Sequence, residues 1–434
     1  MNILKATKWI IMATCLTPFI VMSNIISPFI GGKVMFLRGI SFLVFLLITC
    51  ILLFSKEKEE IFLSIKNMVR SHLFLALSAN IFLLILSTVF AFDHTVAFFG
   101  DPQRSEGFLT IFSIFTLFIS LRLLFNKKDW EHFFALTSLV AIVLFFIELW
   151  QALSGTLRPE ALSGNPDFLA IQYLFSIFAG LYIFQIGRSL NKKWYSVLGL
   201  FANMLSVFGI LLSKTRGPLV GLVVSIVACS IIAVIIGKEK IIFNKFSLRK
   251  LGLCACASIL LFLLILGVTY NSIFWHKIPG INRVVETSLN DGSMRARVLH
   301  LETSINIFKS ELTPARVLFG WGWDNYIFAW SKYYNPKVFY YDPAIADRAH
   351  NKIMDLLVMS GSLGLLSYLS IWFFAFRRIC LSILNGHVIT PLIILFFLIA
   401  YFISLLFVFD TAITLFAFFA MLAFLSCLNY EKKR

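Results

Sequence analysis

Charge is scarce in this chain. Only 14% of its 434 residues are Asp, Glu, Lys or Arg, against about 25% in a soluble domain. With 59% hydrophobic residues and a mean hydropathy of +0.88, too little polar sequence remains to clothe a soluble core of this size. A soluble globular protein is excluded. No A-x-A cleavage site follows the first apolar stretch, 8–29, which carries Pro18 and Pro28; it reads as a retained helix rather than a signal peptide. The seven cysteines (Cys15, Cys50, Cys229, Cys254, Cys256, Cys380, Cys427) all fall in apolar runs. Cys254-Ala-Cys256 lacks the two-residue gap of metal-binding pairs, so no disulfide framework or zinc site is indicated. No internal repeat stands out, which withholds support from an inverted-repeat transporter.

What is abundant is apolar sequence in runs of about 20 residues, the signature of membrane spans. About 12 such windows occur: 8–29, 35–54, 72–92, 108–125, 132–151, 168–187, 194–212, 218–236, 251–270, 352–375, 388–408 and 411–428. The expected fold is an all-α polytopic membrane protein with three parts. Residues 1–270 form a bundle of about nine spans, 271–351 a long extracytoplasmic helical loop, and 352–434 the last three spans and a tail. The 48 phenylalanines are read as lipid contact and helix packing.

The formal net charge of +16 is read as a topology signal, not as nucleic-acid binding. One set of short connections holds Lys5, Lys8, Lys56, Lys58, Lys66, Arg70, Arg122, Lys127, Lys128, Arg188, Lys192 and Lys193. Lys238, Lys240, Lys245, Arg249, Lys250, Arg377, Arg378, Lys432, Lys433 and Arg434 extend it. The opposite set holds only Lys33, Arg38, Arg104, Arg158, Lys214 and Arg216. This asymmetry puts both termini in the cytoplasm and 271–351 outside.

The 271–351 segment is rich in aromatics, and its residues 293–309 have helical periodicity with Val298, Leu301, Ile305 and Phe308 on one face. Gly320-Trp-Gly-Trp-Asp-Asn325 reads as a turn-rich linker, and the whole as a lid of interfacial helices. It ends on Asp347-Arg-Ala-His-Asn351, directly before an apolar helix. Asp347 can cap that helix, with Gly361 ending or bending it. Asp347 and His350, three residues apart, can share a face and a hydrogen bond. A carboxylate on one ring nitrogen leaves the other as a base, with an unperturbed pKa of about 6.5. The plainer readings are a capped, solvated His350 and an Arg348 that anchors lipid phosphate. Glu148, in a predicted span, is functional by default or snorkels to water.

Seven stretches, in order, resemble the bacterial O-antigen ligase and polymerase superfamily of lipid-linked glycan transferases. They are Phe99-Gly-Asp-Pro-Gln-Arg-Ser-Glu-Gly107, Gly164-Asn-Pro-Asp-Phe-Leu169, Ser213-Lys-Thr-Arg-Gly217, Ser293-Met-Arg-Ala-Arg297, Leu318-Phe-Gly-Trp-Gly322, Asp347-Arg-Ala-His-Asn351 and Gly361-Ser-Leu-Gly-Leu365. The arginine–glycine and glycine–asparagine–proline elements look closer to the ligase branch. Two positions depart from the family pattern: Pro218 follows Arg216-Gly217, and His300 stands where an aromatic residue is usual.

The resemblance implies that a glycan moves from a polyprenyl diphosphate carrier to an acceptor hydroxyl on the outer face of the bacterial inner membrane. It implies no metal and no other cofactor; no Asp-x-Asp element or His/Cys cluster argues otherwise, although Asp342 and Asp347 can be imagined as ligands. His350 would be the general base, Arg216 the main diphosphate clamp, with Arg348, Arg297 and Arg104 behind it and Asp347 and Asn351 in support. The acceptor is lipid A core, another lipid-linked glycan or a protein hydroxyl. A transporter or flippase of lipid-linked anions is the reading from a different class; it would use the same arginines but need no histidine base.

Overall fold

The computed structural model describes residues 3–237, 241–243, 246–286 and 292–428. Lys238, Lys240, Lys245, Lys432, Lys433 and Arg434 of the orientation argument lie outside the described residues. Apart from a short antiparallel pairing of Ile241–Phe243 with Phe246–Ser247, the regular structure among the described residues is helical. Among the described residues, eight helices are long and apolar enough to cross a membrane. Three shorter apolar helices accompany them: Phe108–Leu124, Ile389–Leu405 and Ala412–Cys427.

Most helix boundaries fall within a few residues of the apolar windows, because local chemistry starts them there. Asn126 accepts from the backbone of Lys128 and Asp129 to open Lys127–Leu153. Asn165 caps Pro166–Ser189 with proline at the first position, where a missing N–H costs nothing. The window 352–375 ends nine residues short of Leu384, and the first window departs most. Residues 8–29 are not one helix: Ile3–Met12 passes into a 3₁₀ segment, Ala13–Phe19, and then into turns. Pro18 cannot donate to the ladder, and the Thr14 and Thr17 hydroxyls bond the carbonyls of Ile11 and Thr14, both at 2.6 Å.

The core is centred on Pro166–Ser189, 83% of whose most apolar window is buried, whereas Leu248–Thr269 at 6% is almost wholly peripheral. Phenylalanines join the central helices edge to face: Phe134 meets Phe178 and Phe424, each at 5.0 Å between centroids. Glu148 does not snorkel. It is buried in this core and accepts a 2.8 Å hydrogen bond from Tyr173.

The segment before the last three apolar helices contains Ile273–Lys277, Ile281–Val285, Gly292–Ser310, Pro314–Phe319, Tyr326–Lys332 and a 3₁₀ turn, Pro336–Tyr340. The expected face of its longest helix is corrected. Val298 is exposed, and the inward residues are Ala296, His300, Thr303, Ser304 and Ile307. Polar partners decide this: Ser304 lies 2.9 Å from the Tyr326 hydroxyl and His300 faces Asp342.

Lys352–Leu384 is two helices joined at Gly361, whose φ of +66° and ψ of −171° break the ladder. The carbonyls freed at the break are taken up by the neighbouring turn: Trp321 N donates to Val358 O and Gly322 N to Met359 O, both at 2.9 Å. Backbone irregularity at membrane depth survives only when so satisfied. A methyl group at Gly361 would come within 2.5 Å of the Leu318 backbone. Gly361→Ala is therefore expected to cost more than the roughly 1–3 kcal/mol of a residue forced into this glycine-only region and to lower the melting temperature in detergent. An unchanged melting temperature would show that the break is not fixed by this contact.

Candidate active site

Five apolar helices begin at one end of the bundle: Phe108–Leu124, Pro166–Ser189, Arg216–Ile236, Lys352–Leu384 and Ala412–Cys427. Their positive dipole ends gather around the loops 100–107 and 342–351 and the turn 406–411. Asn351, not Asp347, caps Lys352–Leu384: its Oδ1 accepts from Ile353 N at 3.0 Å and Met354 N at 3.2 Å. Its Nδ2 donates to Leu406 O at 3.1 Å, tying the cap to the 406–411 turn. Asp355 Oδ1 accepts from Ala349 N at 2.6 Å. Between these anchors His350 is held at φ +53°, a conformation few non-glycine residues adopt.

That conformation aims the His350 ring into a cleft of about 390 Å³, whose lining includes Arg158, Asp167, Arg297, His300 and Phe407–Phe409. Phe409 lies 5.3 Å and His300 5.8 Å from the His350 ring, centroid to centroid. Burial, then the charges of His300 and Arg297, lower the His350 pKa to about 4, with Asp347 working the other way. His350 is thus a neutral imidazole at physiological pH. It does not share a helical face with Asp347, since both precede the helix. Asp347 instead forms a fork with Arg104, whose second nitrogen is 3.3 Å from Oδ1. Burial pushes the Asp347 carboxyl up, but Arg348 and Arg104 outweigh it and leave it below its ordinary value. The Arg104 guanidinium stacks 4.2 Å above the Phe409 ring, so Arg104, Asp347 and His350 meet around one aromatic wall.

Arg297 lines the cleft with His350. Arg216 opens its helix one residue before Gly217, where a methyl group would touch Phe407 at 3.1 Å, and Phe407 is part of the cleft lining. Pro218 sits in the first turn and does not disturb the start. Arg283, which sequence reasoning missed, donates to Lys214 O at 3.1 Å beside it. Burial first, then the charges of Arg158, Arg216 and Arg297, depress the Arg283 pKa, with Asp167 working the other way. Arg158, Arg216 and Arg297 thus lie near Arg283, with Asp167 among them and Asp342 in the cleft lining. Such a cluster of guanidiniums suits an anion.

Arg348 occupies a different place from the one its sequence neighbours suggested. It is buried, does not line the cleft, and is ion-paired with Asp324 and lies 3.7 Å from Glu106. Burial opposes its charge, but Asp324, Asp347 and Glu106 more than compensate. Burial pushes the Glu106 carboxyl up to about 7 against Arg348 and Arg104. Asp324 also accepts from Asp101 N at 2.7 Å, and Glu106 from Ala412 N at 2.7 Å. Both acids stand inside stretches quoted above, 99–107 and 320–325, but nothing local marked them as partners of Arg348. Arg38, also missed, braces the 100–107 loop by donating to Phe99 O and Ser105 O, each at 2.7 Å.

Removing one member of such a buried pair leaves the other uncompensated, at a cost of about 3–5 kcal/mol. Asp324→Ala is expected to lower the thermal midpoint accordingly, and Arg348→Met in the same chain to restore most of it. Wild-type stability in the single variant would contradict this joint.

A search of curated proteins gives no match to the chain. Residues 201–369 match the family model described as O-antigen ligase. That segment, less than half of the chain, carries Arg216, Arg297, Arg348 and His350, and in it the chain is similar to O-antigen ligases.

Proposed function

We propose that this protein transfers a glycan from a polyprenyl diphosphate to an acceptor hydroxyl, as a ligase, in the cleft beside His350. The observation that carries the reading is a neutral imidazole facing the same cleft as Arg297, next to a rim rich in guanidinium groups. The donor brings its own leaving group. As the glycosidic bond breaks, negative charge grows on the diphosphate, and guanidinium forks aimed there stabilise the transition state more than the ground state. Arg297 and Arg216 are assigned this task. Arg104 works through Asp347 and the Phe409 wall, and Arg348 is a positioning residue that fixes the loop carrying His350.

The acceptor oxygen attacks the anomeric carbon while His350 takes its proton, and the diphosphate leaves with the electrons of the broken C–O bond. Displacement in one step inverts the anomeric centre. No metal is assigned a role. The cleft side of the bundle faces away from the cytoplasm, by the distribution of Lys and Arg over the short connections.

The depressed His350 pKa makes a specific point about timing. Burial, His300, Arg297 and Arg104 together outweigh Asp347 and leave the imidazole neutral but weakly basic. A bound diphosphate offsets those arginines and raises the pKa, strengthening the base when the donor is in place. Activity requires the neutral ring, so the rate falls as pH drops through that pKa. The acid limb of kcat/KM, which reports the free enzyme, is expected near pH 4, and that of kcat, which reports the donor complex, at higher pH. Coincident limbs would contradict this coupling.

In a reconstituted assay with lipid-linked glycan, His350→Ala is expected to lose about 10²–10⁴-fold in rate, the usual range for a general base, while still binding donor. Arg297→Gln should weaken donor binding and slow turnover together. Full transfer by His350→Ala would overturn the base assignment and favour a flippase that needs none.

A further inference from the structure

Phe108–Leu124 and Ala412–Cys427 start from the 100–107 loop and the 406–411 turn, so their last turns mark the opposite end of the bundle. There a second pocket, of about 410 Å³, opens beside the helix Lys58–Val69. Ser64 and Asn67 of that helix and Ser71 just beyond it give one polar wall. Arg122 and Arg378 stand in the lining with them, as does the carboxylate-bearing Glu60. Phe74 and Phe118, from two apolar helices, complete an apolar side. None of these residues belongs to the candidate active site.

The chemistry of the lining is specific. Arg378 is locked in place: Nε donates to Leu425 O at 2.8 Å, and Nη2 to Ser426 O at 3.1 Å and Leu428 O at 2.9 Å. It neutralises a helix C-terminus and stays at the pocket wall. Among the described residues, no carboxylate pairs with Arg122. Guanidiniums therefore meet the pocket together with hydroxyls, a carboxamide and one acidic side chain, Glu60, which is exposed. A purely anionic ligand would be repelled by Glu60, and a cation by the arginines. A group with a phosphate and an ammonium a few bonds apart satisfies both. The aromatic side continues along membrane helices, so the same ligand carries an apolar portion. Basic pockets between spans at the cytoplasmic side are where phospholipid head groups bind.

We propose that this pocket is a phospholipid site for a zwitterionic aminophosphate head group of the phosphoethanolamine kind. Its phosphate lies at Arg122 and Arg378, its ammonium at Glu60, and its acyl chains along Phe74 and Phe118. The amphipathic helix Lys58–Val69 forms the outer wall, with Phe62 and Leu63 exposed toward lipid.

The test is native mass spectrometry of the full chain in detergent. Equal amounts of phosphatidylethanolamine and phosphatidylglycerol of matched chains are added, then free phosphoethanolamine as a soluble competitor. Wild type is expected to retain the ethanolamine lipid over the glycerol lipid by about fivefold, the worth of one surface charge contact. Glu60→Gln should erase the preference, and Arg122→Gln should cut retention of both lipids about fivefold. Ser64→Trp, which fills the pocket without touching either charge, should displace lipid even if the arginine variant fails to fold. Equal retention of the two lipids by wild type would overturn the proposal, as would retention unaffected by Arg122→Gln and Ser64→Trp. Complete displacement by free phosphoethanolamine would overturn it too, since the site would then take a soluble ligand.

Discussion

Arg348 lies where three otherwise separate loops meet. Its guanidinium is ion-paired with Asp324 from the 320–325 turn, faces Glu106 from the 100–107 loop, and donates at 2.8 Å to Asp347 O in its own. Buried ion pairs add little net stability, because desolvation takes back most of the Coulomb gain. What this one supplies is register. A guanidinium without water must find its carboxylates, and only one arrangement of the loops delivers them. Glu106 then reaches Ala412 N, and Asp324 reaches Asp101 N, so the constraint extends to the last apolar helix and back to the first of the loops.

The broken helix Lys352–Leu384 prepares that joint. Because Gly361 interrupts the ladder, the carbonyls of Val358 and Met359 turn outward to Trp321 and Gly322. The chain is thereby pinned two residues before Asp324. The same helix begins at Asn351, whose capping leaves His350 in a left-handed conformation with its ring toward the cleft. One helix thus carries both devices, a break that places the acid and a start that places the imidazole.

Around this frame the end of the bundle is strongly positive. Helix N-termini and the arginines at 158, 216, 283 and 297 contribute, with Asp167 and Asp342 opposing them. Burial first, and then His300 and Arg297, keep the imidazole neutral by making its protonated form costly. The positive field also gives an incoming anion two effects at once, its own attraction and a stronger base beside it. The opposite end is built differently. There Arg378 is committed to helix carbonyls, and Glu60 lies in the same pocket as Arg122.

Sequence by itself determined the helical membrane architecture, since about 20 apolar residues in a row can bury their backbone polar groups only as a helix. It also located most helix ends, because caps such as Asn165-Pro166 act locally, and it marked His350, Arg216 and Arg297 as candidates through their motifs. It misjudged residues 8–29, where proline and threonine hydroxyls outweigh an apolar window, and the inward face of Gly292–Ser310. Only the tertiary structure decided who pairs with whom. Arg348 became a buried joint because Asp324 and Glu106 arrive from positions 24 and 242 residues away in the chain, and Asp347 turned from its expected helix to Arg104. Hydrophobic periodicity and capping act over a few residues and can be read in one dimension. Charge partners in a water-poor interior are chosen by proximity in three, and no local pattern encodes them.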